Sequence, residues 1–264
     1  MNPTVVLTGR PGGTTHLSVE AMSHLPPELR LIGGLAVLCR VGVPHRATVD
    51  LDALTRDLDG FDPALQRLAL STTGGGQYVM PGQLDLDVID VSPDSAEQLV
   101  AVLAAEGPLS PLELAVVGHT WAHDTATPVT ITVVDESGAP LISGVERLVA
   151  STAGLVAMKA TTVPLRASSK PEKRASDLYD LARLLVNATG ADELRAAPRV
   201  LADDVLASLQ GWFVDPRGRD RTYREIRRFD TAGLDLDDVA DAVGDLAADL
   251  AADLADDPAD DPAG

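Results

Sequence analysis

Cysteine is almost missing from this 264-residue chain: Cys39 stands alone. That excludes an internal disulfide, and its place in an apolar stretch reads as a buried, inert thiol. Aromatic residues make up only 3% of the chain, too few for a platform on which nucleic-acid bases stack. The five histidines and one cysteine show no metal-ligand spacing, which argues against a zinc site. No apolar run reaches membrane-spanning length, and the first residues lack the succession of charged, apolar and small segments that marks a signal peptide. These absences point to a cytoplasmic protein without membrane partners. The length is sufficient for one large or two small domains, each with a real core.

Positive charge is missing from the end of the chain. From Asp230 to Gly264 there are twelve Asp and no Lys, Arg or Glu. With those twelve set aside, the net charge of −19 becomes −7 for the remainder, so the body is only mildly acidic. Just before this segment stand Arg217, Arg219, Arg221, Arg224, Arg227 and Arg228. Such a cluster is suited to tracking phosphates, and equally to pairing with the Asp-rich helix that follows.

What is present is organised around Leu31–Asp52, LIGGLAVLCRVGVPHRATVDLD. It reads as a strand end, a Gly33-Gly34 turn, a helix starting near Leu35, and a strand carrying Asp50 and Asp52. Side chains two apart on a strand share a face, so both carboxylates project together. Facing a glycine turn, they form a cradle for Mg²⁺ and a triphosphate, because magnesium takes one or two carboxylates and fills its shell with water and phosphate oxygens. Glycine lets backbone N–H groups approach phosphates, and the helix start adds its positive dipole end. Taken alone, an Asp pair at this spacing equally describes a solvated strand face.

The other segments surround this stretch. Residues 1–17 are turn-rich and poorly patterned, and Gly9–Thr15 has no lysine to make a P-loop. Ser18–His24 reads as a short helix, and a second begins at Asp62-Pro63 with Asp62 as its cap. Gln77–Met80, a Pro81-Gly82 turn and Leu84–Val91 read as a hairpin whose second strand sets Asp85 and Asp87 on one face. A two-metal site, with ions roughly 4 Å apart, needs a third carboxylate from a neighbouring strand. Asp87 or Asp85 is the candidate.

Ser95–Ala105 is helical, Pro128–Val134 is a β-branched strand, and His119 and His123 are ordinary polar residues near Trp121. Ser151–Thr161 is a small-residue helix containing Lys159, which either snorkels to solvent or faces a buried anion, the Gly33-Gly34 turn being the expected target. In PEKRASDLYDLARLLV, Leu178, Leu181, Leu184 and Leu185 form a core face. Lys173 and Asp177, four apart, could simply be a surface pair worth about 0.2–0.5 kcal/mol. The chain then continues as helices with breaks at Gly211 and Pro216. Leu or Val at 236, 239, 243, 246, 250 and 254 marks a docked C-terminal helix, and the Asp/Pro tail 256–264 reads as disordered. The domain boundaries that follow are a core over 1–145, a helical region over 146–255, and the tail.

GGLAVLCRVGVPHRATVDLD and AMKATTVPLRASSKPEKRASDLYDLARLL, with GQLDLDVIDV between them, resemble the AbiEii/AbiGii (MenT-like) nucleotidyltransferase toxins of bacterial toxin–antitoxin systems, over about residues 28–186. The resemblance implies an α+β, polymerase-β-like nucleotidyltransferase fold, a mixed sheet bearing carboxylates with a helical C-terminal half. It implies transfer of a nucleotide from an NTP to an acceptor, in some members the tRNA 3′ end, with a cognate antitoxin as partner. Gly33, Gly34 and Thr48 would then bind the nucleotide. Asp50, Asp52 and Asp87 (or Asp85) would bind Mg²⁺. Lys159 matches the phosphate-binding lysine, Asp177 (or Asp180) the final catalytic carboxylate, and Lys173 or Arg174 the basic position before it. Two rival readings remain open: a small-molecule nucleotidyltransferase of the antibiotic-modifying kind, and a non-catalytic binding protein on the same scaffold.

Overall fold

The computed structural model describes residues 2–43, 50–166, 169–230 and 233–256, and for 253–256 the backbone alone. Thr48, the side chain of Leu254 and residues 257–264 of the acidic tail therefore lie outside the described residues.

Residues 4–90 alternate as β1 (Thr4–Thr8), α1 (Thr14–Ser23), β2 (Arg30–Ile32), α2 (Gly33–Val41), β3 (Asp50–Thr55), α3 (Leu58–Leu68), β4 (Ser71–Gly74), β5 (Gln77–Met80) and β6 (Leu84–Asp90). Two helices, α4 (Ala96–Ala104) and α5 (Pro111–Asp124), lead to the long hairpin β7 (Thr127–Val134) and β8 (Pro140–Val149). The eight strands make one mixed sheet in the order β1-β7-β8-β2-β3-β6-β5-β4. Three pairings are parallel: β1 with β7, β2 with β8, and β3 with β6. The fold is thus mixed α/β, in agreement with the α+β expectation.

Local chemistry explains most boundaries. Ser95 and Ser110 each close a capping box, with Gln98 and Glu113 reaching back, so α4 and α5 start where they do. In β7, Val129, Ile131 and Val133 alternate inward. Helix α2 is buried nearly all round and ends at Gly42, whose φ of 75° is the left-handed conformation of a helix C-terminus. Within it burial pushes the Cys39 thiol up to about 12, as an inert core thiol requires.

Three segments depart from the expectation. Thr4–Thr8 is not a turn but an edge strand, created by its parallel register with β7. Asp62 does not cap α3. The helix begins a turn earlier, where the Asp57 carboxylate accepts from the Gly60 N–H at 3.0 Å. Asp62 instead accepts from the Tyr78 hydroxyl at 2.6 Å, and Pro63 lies inside the helix. Strand β4, all exposed, exists because its backbone pairs with β5.

From residue 152 the chain is helical: α6 (Thr152–Arg166), α7 (Pro171–Asn187), a 3₁₀ turn (Asp192–Ala196), α8 (Arg199–Leu209), a π segment (Gln210–Val214), α9 (Pro216–Ile226) and α10 (Leu236–Asp256). Gly211 falls within the π segment rather than ending a helix, while Pro216 opens α9 under an Asp215 cap. Helix α6 lies against α5 at two glycines. A Cβ at Gly118 would sit 2.7 Å from Thr161 Oγ1, and one at Gly154 3.0 Å from Ala122 Cα. Leu178, Leu181, Leu184 and Leu185 of α7 are buried, as are Leu236, Val239, Val243, Leu246 and Leu250 of α10. The C-terminal stripe therefore packs as its spacing suggests, against α7, α8 and the π segment. Among the described residues no helix is long and apolar enough to cross a membrane.

Candidate active site

The parallel register of β3 and β6 brings the carboxylates together. Asp50 lies opposite Asp85 and Asp52 opposite Asp87, so all four share a sheet face. Asp85 is exposed, whereas Asp87 is half-buried and adds to the negative field at Asp52. Burial raises the Asp52 carboxyl above its ordinary range, and Asp50 and Asp87 add repulsion that Lys173 and Lys159 only partly offset. Among the described residues no three His, Cys, Asp or Glu side chains converge tightly enough to enclose a metal ion. Asp87 stands beside Asp52 without completing a three-carboxylate cage.

Gly33 opens α2 with φ +70°, and a Cβ there would fall 2.0 Å from Asp52 Oδ2. The Asp52 carboxylate occupies the space that a side chain would take, against the first turn of a helix. The antiparallel pairing of Ile32 with Asp52 holds it there.

Cations from α6 and α7 close the other side. Lys159 Nζ lies 2.8 Å from Asp177 Oδ1 and 2.9 Å from Asp180 Oδ2. Both carboxylates that compete for the catalytic position thus hold the same lysine. Arg166 pairs with the other oxygen of Asp177. Burial lowers the Arg166 pKa, and the charges of Asp52 and Asp50 act against that shift, which sets its guanidinium in their field. Lys173 Nζ is 3.5 Å from Asp50 Oδ2 rather than paired with Asp177.

These groups line a cleft of about 340 Å³. Of the expected residues, Gly33, Gly34, Asp50, Asp52, Lys159, Lys173 and Asp177 are in its wall. Asp180 is fully buried behind Lys159, and Arg174, one residue beyond Lys173, turns away to pair with Glu225 of α9. Sequence reasoning missed Arg166, His119, Glu172 and Phe229, which also line the cleft. Arg166 had a signal: it follows Lys159 by seven residues on one helix, hence on the same face. His119 is no ordinary surface residue. It is half-buried in the cleft wall, the loss of solvent around it lowers its pKa, and its Nδ1 lies 2.7 Å from the Ala115 carbonyl. Nothing in its spacing to His123 distinguished it.

Strand-borne carboxylates beside a glycine turn, opposed by helix-borne cations, are the construction of a nucleotidyltransferase. The family model of the nucleotidyl transferase AbiEii toxin, of type IV toxin–antitoxin systems, matches residues 18–262, and the chain belongs to that family. The match runs well past residues 28–186 and takes in the C-terminal helices. The protein is an enzyme, a nucleotidyltransferase toxin, and membership implies a nucleotide substrate and an antitoxin partner. No curated protein matches the chain.

Proposed function

We propose that this enzyme transfers a nucleotide from an NTP to the 3′ end of tRNA with Mg²⁺ held at Asp50 and Asp52. The observation that carries this reading is the Asp52–Gly33 contact, a half-buried carboxylate seated where a Cβ would be, with Asp50 and Asp87 beside it. Two or three carboxylates that repel one another suit a divalent cation whose remaining ligands are water and phosphate oxygens. When bound, the ion neutralises charge on the triphosphate and on the attacking hydroxyl.

The chain's own groups do the positioning. Lys173 and Arg166, with side chains 40% and 25% exposed, can exchange Asp50 and Asp177 for triphosphate oxygens. Lys159, at 4%, stays locked on Asp177 and Asp180 and supplies a fixed positive field behind them. Asp177 holds Lys159 and Arg166 in register. The acceptor hydroxyl oxygen forms the new bond to the α-phosphorus as its proton is lost to solvent, the bond from the α-phosphorus to the bridging oxygen breaks, and pyrophosphate departs.

The test is labelling of purified tRNA from each of the four radiolabelled NTPs, with and without Mg²⁺, by wild type and by Asp50→Asn/Asp52→Asn. The expected result is Mg²⁺-dependent label on tRNA for wild type only, together with growth arrest on expression that the Asn pair relieves. Label on a small cationic metabolite instead would move the acceptor to the antibiotic-modifying class. Growth arrest by the folded Asn pair would reject catalysis as its cause.

A further inference from the structure

The six arginines before the acidic segment are divided by the fold. Among the described residues Arg219 is the one that pairs with the C-terminal helix, 2.6 Å from Asp237. Arg217, Arg221, Arg224 and Arg228 recur at i, i+4, i+7 and i+11, a single stripe along α9 and its end. Beneath the stripe lies Arg174 of α7. It is buried, its Nε has no hydrogen-bond partner among the described residues, and Arg221 beside it adds repulsion to the cost of burial. Arg174, Arg221, Arg224 and Arg228 line a second cavity of about 340 Å³. Among the described residues, two carboxylates serve these four guanidiniums. Glu225 is shared between Arg174 and Arg221, and Glu172 takes Arg228 at 2.5 Å.

This cavity adjoins the catalytic cleft. Glu172 lines both, and Phe229, the residue after Arg228, is in the wall of the cleft. A nucleic-acid strand whose 3′ hydroxyl reaches Asp50 and Asp52 must lay its preceding phosphates on ground that leads away from the cleft. The α9 stripe is such ground, and guanidinium forks match phosphate oxygens two at a time.

We propose that the arginine stripe of α9, with Arg174 beneath it, is the docking track for the phosphate backbone of the acceptor RNA. In this proposal Glu172 and Glu225 stand in for phosphates until the RNA displaces them. It rests on the reading that the acceptor is RNA, and it adds where that RNA lies and which side chains compete with it.

The experiment measures binding of fluorescent tRNA to the full chain by anisotropy across a salt series, with NTP affinity measured alongside by calorimetry. Arg221→Ala/Arg224→Ala removes two exposed side chains that the fold does not need. The expected result is a tRNA dissociation constant raised on the order of tenfold or more. The slope of log affinity against log salt should shrink by about 1.4–1.8, with NTP affinity unchanged. Glu172→Gln should tighten tRNA binding several-fold, and Arg221→Lys/Arg224→Lys should recover the salt slope but only part of the affinity. A double Ala variant that binds tRNA with wild-type affinity and slope overturns the track while the RNA reading stands. The same variant losing its antitoxin but not its tRNA would overturn it in favour of a protein interface. Wild type that neither binds nor labels tRNA would remove the RNA reading, and the track with it.

Discussion

The Asp180 carboxylate sits 2.9 Å from Lys159 Nζ, with the two side chains 0% and 4% exposed. The lysine that the sequence marks as a phosphate ligand is thus also an anchor between α6 and α7. A charge pair this deep is costly to form and costlier to break, because removing one partner strands the other in a low dielectric.

Lys159→Met should therefore destabilise the fold by about 3–5 kcal/mol in urea melts, since it removes the buried cation that Asp177 and Asp180 share. Neutralising the carboxylate as well, in Lys159→Met/Asp180→Asn, should return much of that loss. A single variant as stable as wild type would contradict the burial of the pair.

Asp52→Asn should abolish nucleotidyl transfer yet raise the stability of the metal-free protein at neutral pH. Burial and Asp50 raise the Asp52 pKa, so the folded chain holds this proton to higher pH than the unfolded chain does. The stability tied to that proton is fully present below the ordinary carboxyl range and is lost as pH rises through the raised value. The Asn variant has no such loss. Its gain in unfolding free energy over wild type, read from urea melts, should be absent near about pH 3 and grow toward pH 7, reaching on the order of 1 kcal/mol.

Gly33→Ala should lose both stability and activity. The left-handed backbone alone costs an Ala about 1–2 kcal/mol, and the new Cβ would collide with Asp52 Oδ2 at 2.0 Å. Gly42→Ala, also left-handed but with open space around its Cβ, is the control. It should show the backbone cost in thermal melts while keeping NTP binding.

Arg166→Gln should lower kcat/KM for nucleotidyl transfer by on the order of 10²–10³, the loss expected when one preorganised charge partner of a transition state is removed. It should leave the fold largely intact, because Asp177 retains Lys159 at 2.8 Å. Steady-state kinetics with the melting temperature measured in parallel separates the two effects.

The sequence by itself determined the features that depend on a local period or a local donor. The alternation through Asp50, Asp52, Asp85 and Asp87 placed carboxylates on single strand faces, since the period of a strand is two. The Leu and Val spacing of α7 and α10 named their buried sides, and Ser95 marked a helix start through its own hydroxyl. Only the tertiary structure decided what rests on pairing between distant segments. The register that sets Asp52 against Asp87 rather than Asp85 is a property of two strands, and no pattern within either one contains it. Edge strand β1 has β-branched residues of its own in TVVLT, but its place in the sheet, parallel to β7, is set by a partner more than 120 residues away. Lys173 and Arg174 are neighbours of similar charge, and about 100° of helical rotation sends one to Asp50 and the other to Glu225. Asp177 and Asp180, three apart and on the same side of α7, both reach Lys159 because α6 crosses there. Local chemistry could place each charge on its element; which charge it meets follows from how the helices pack.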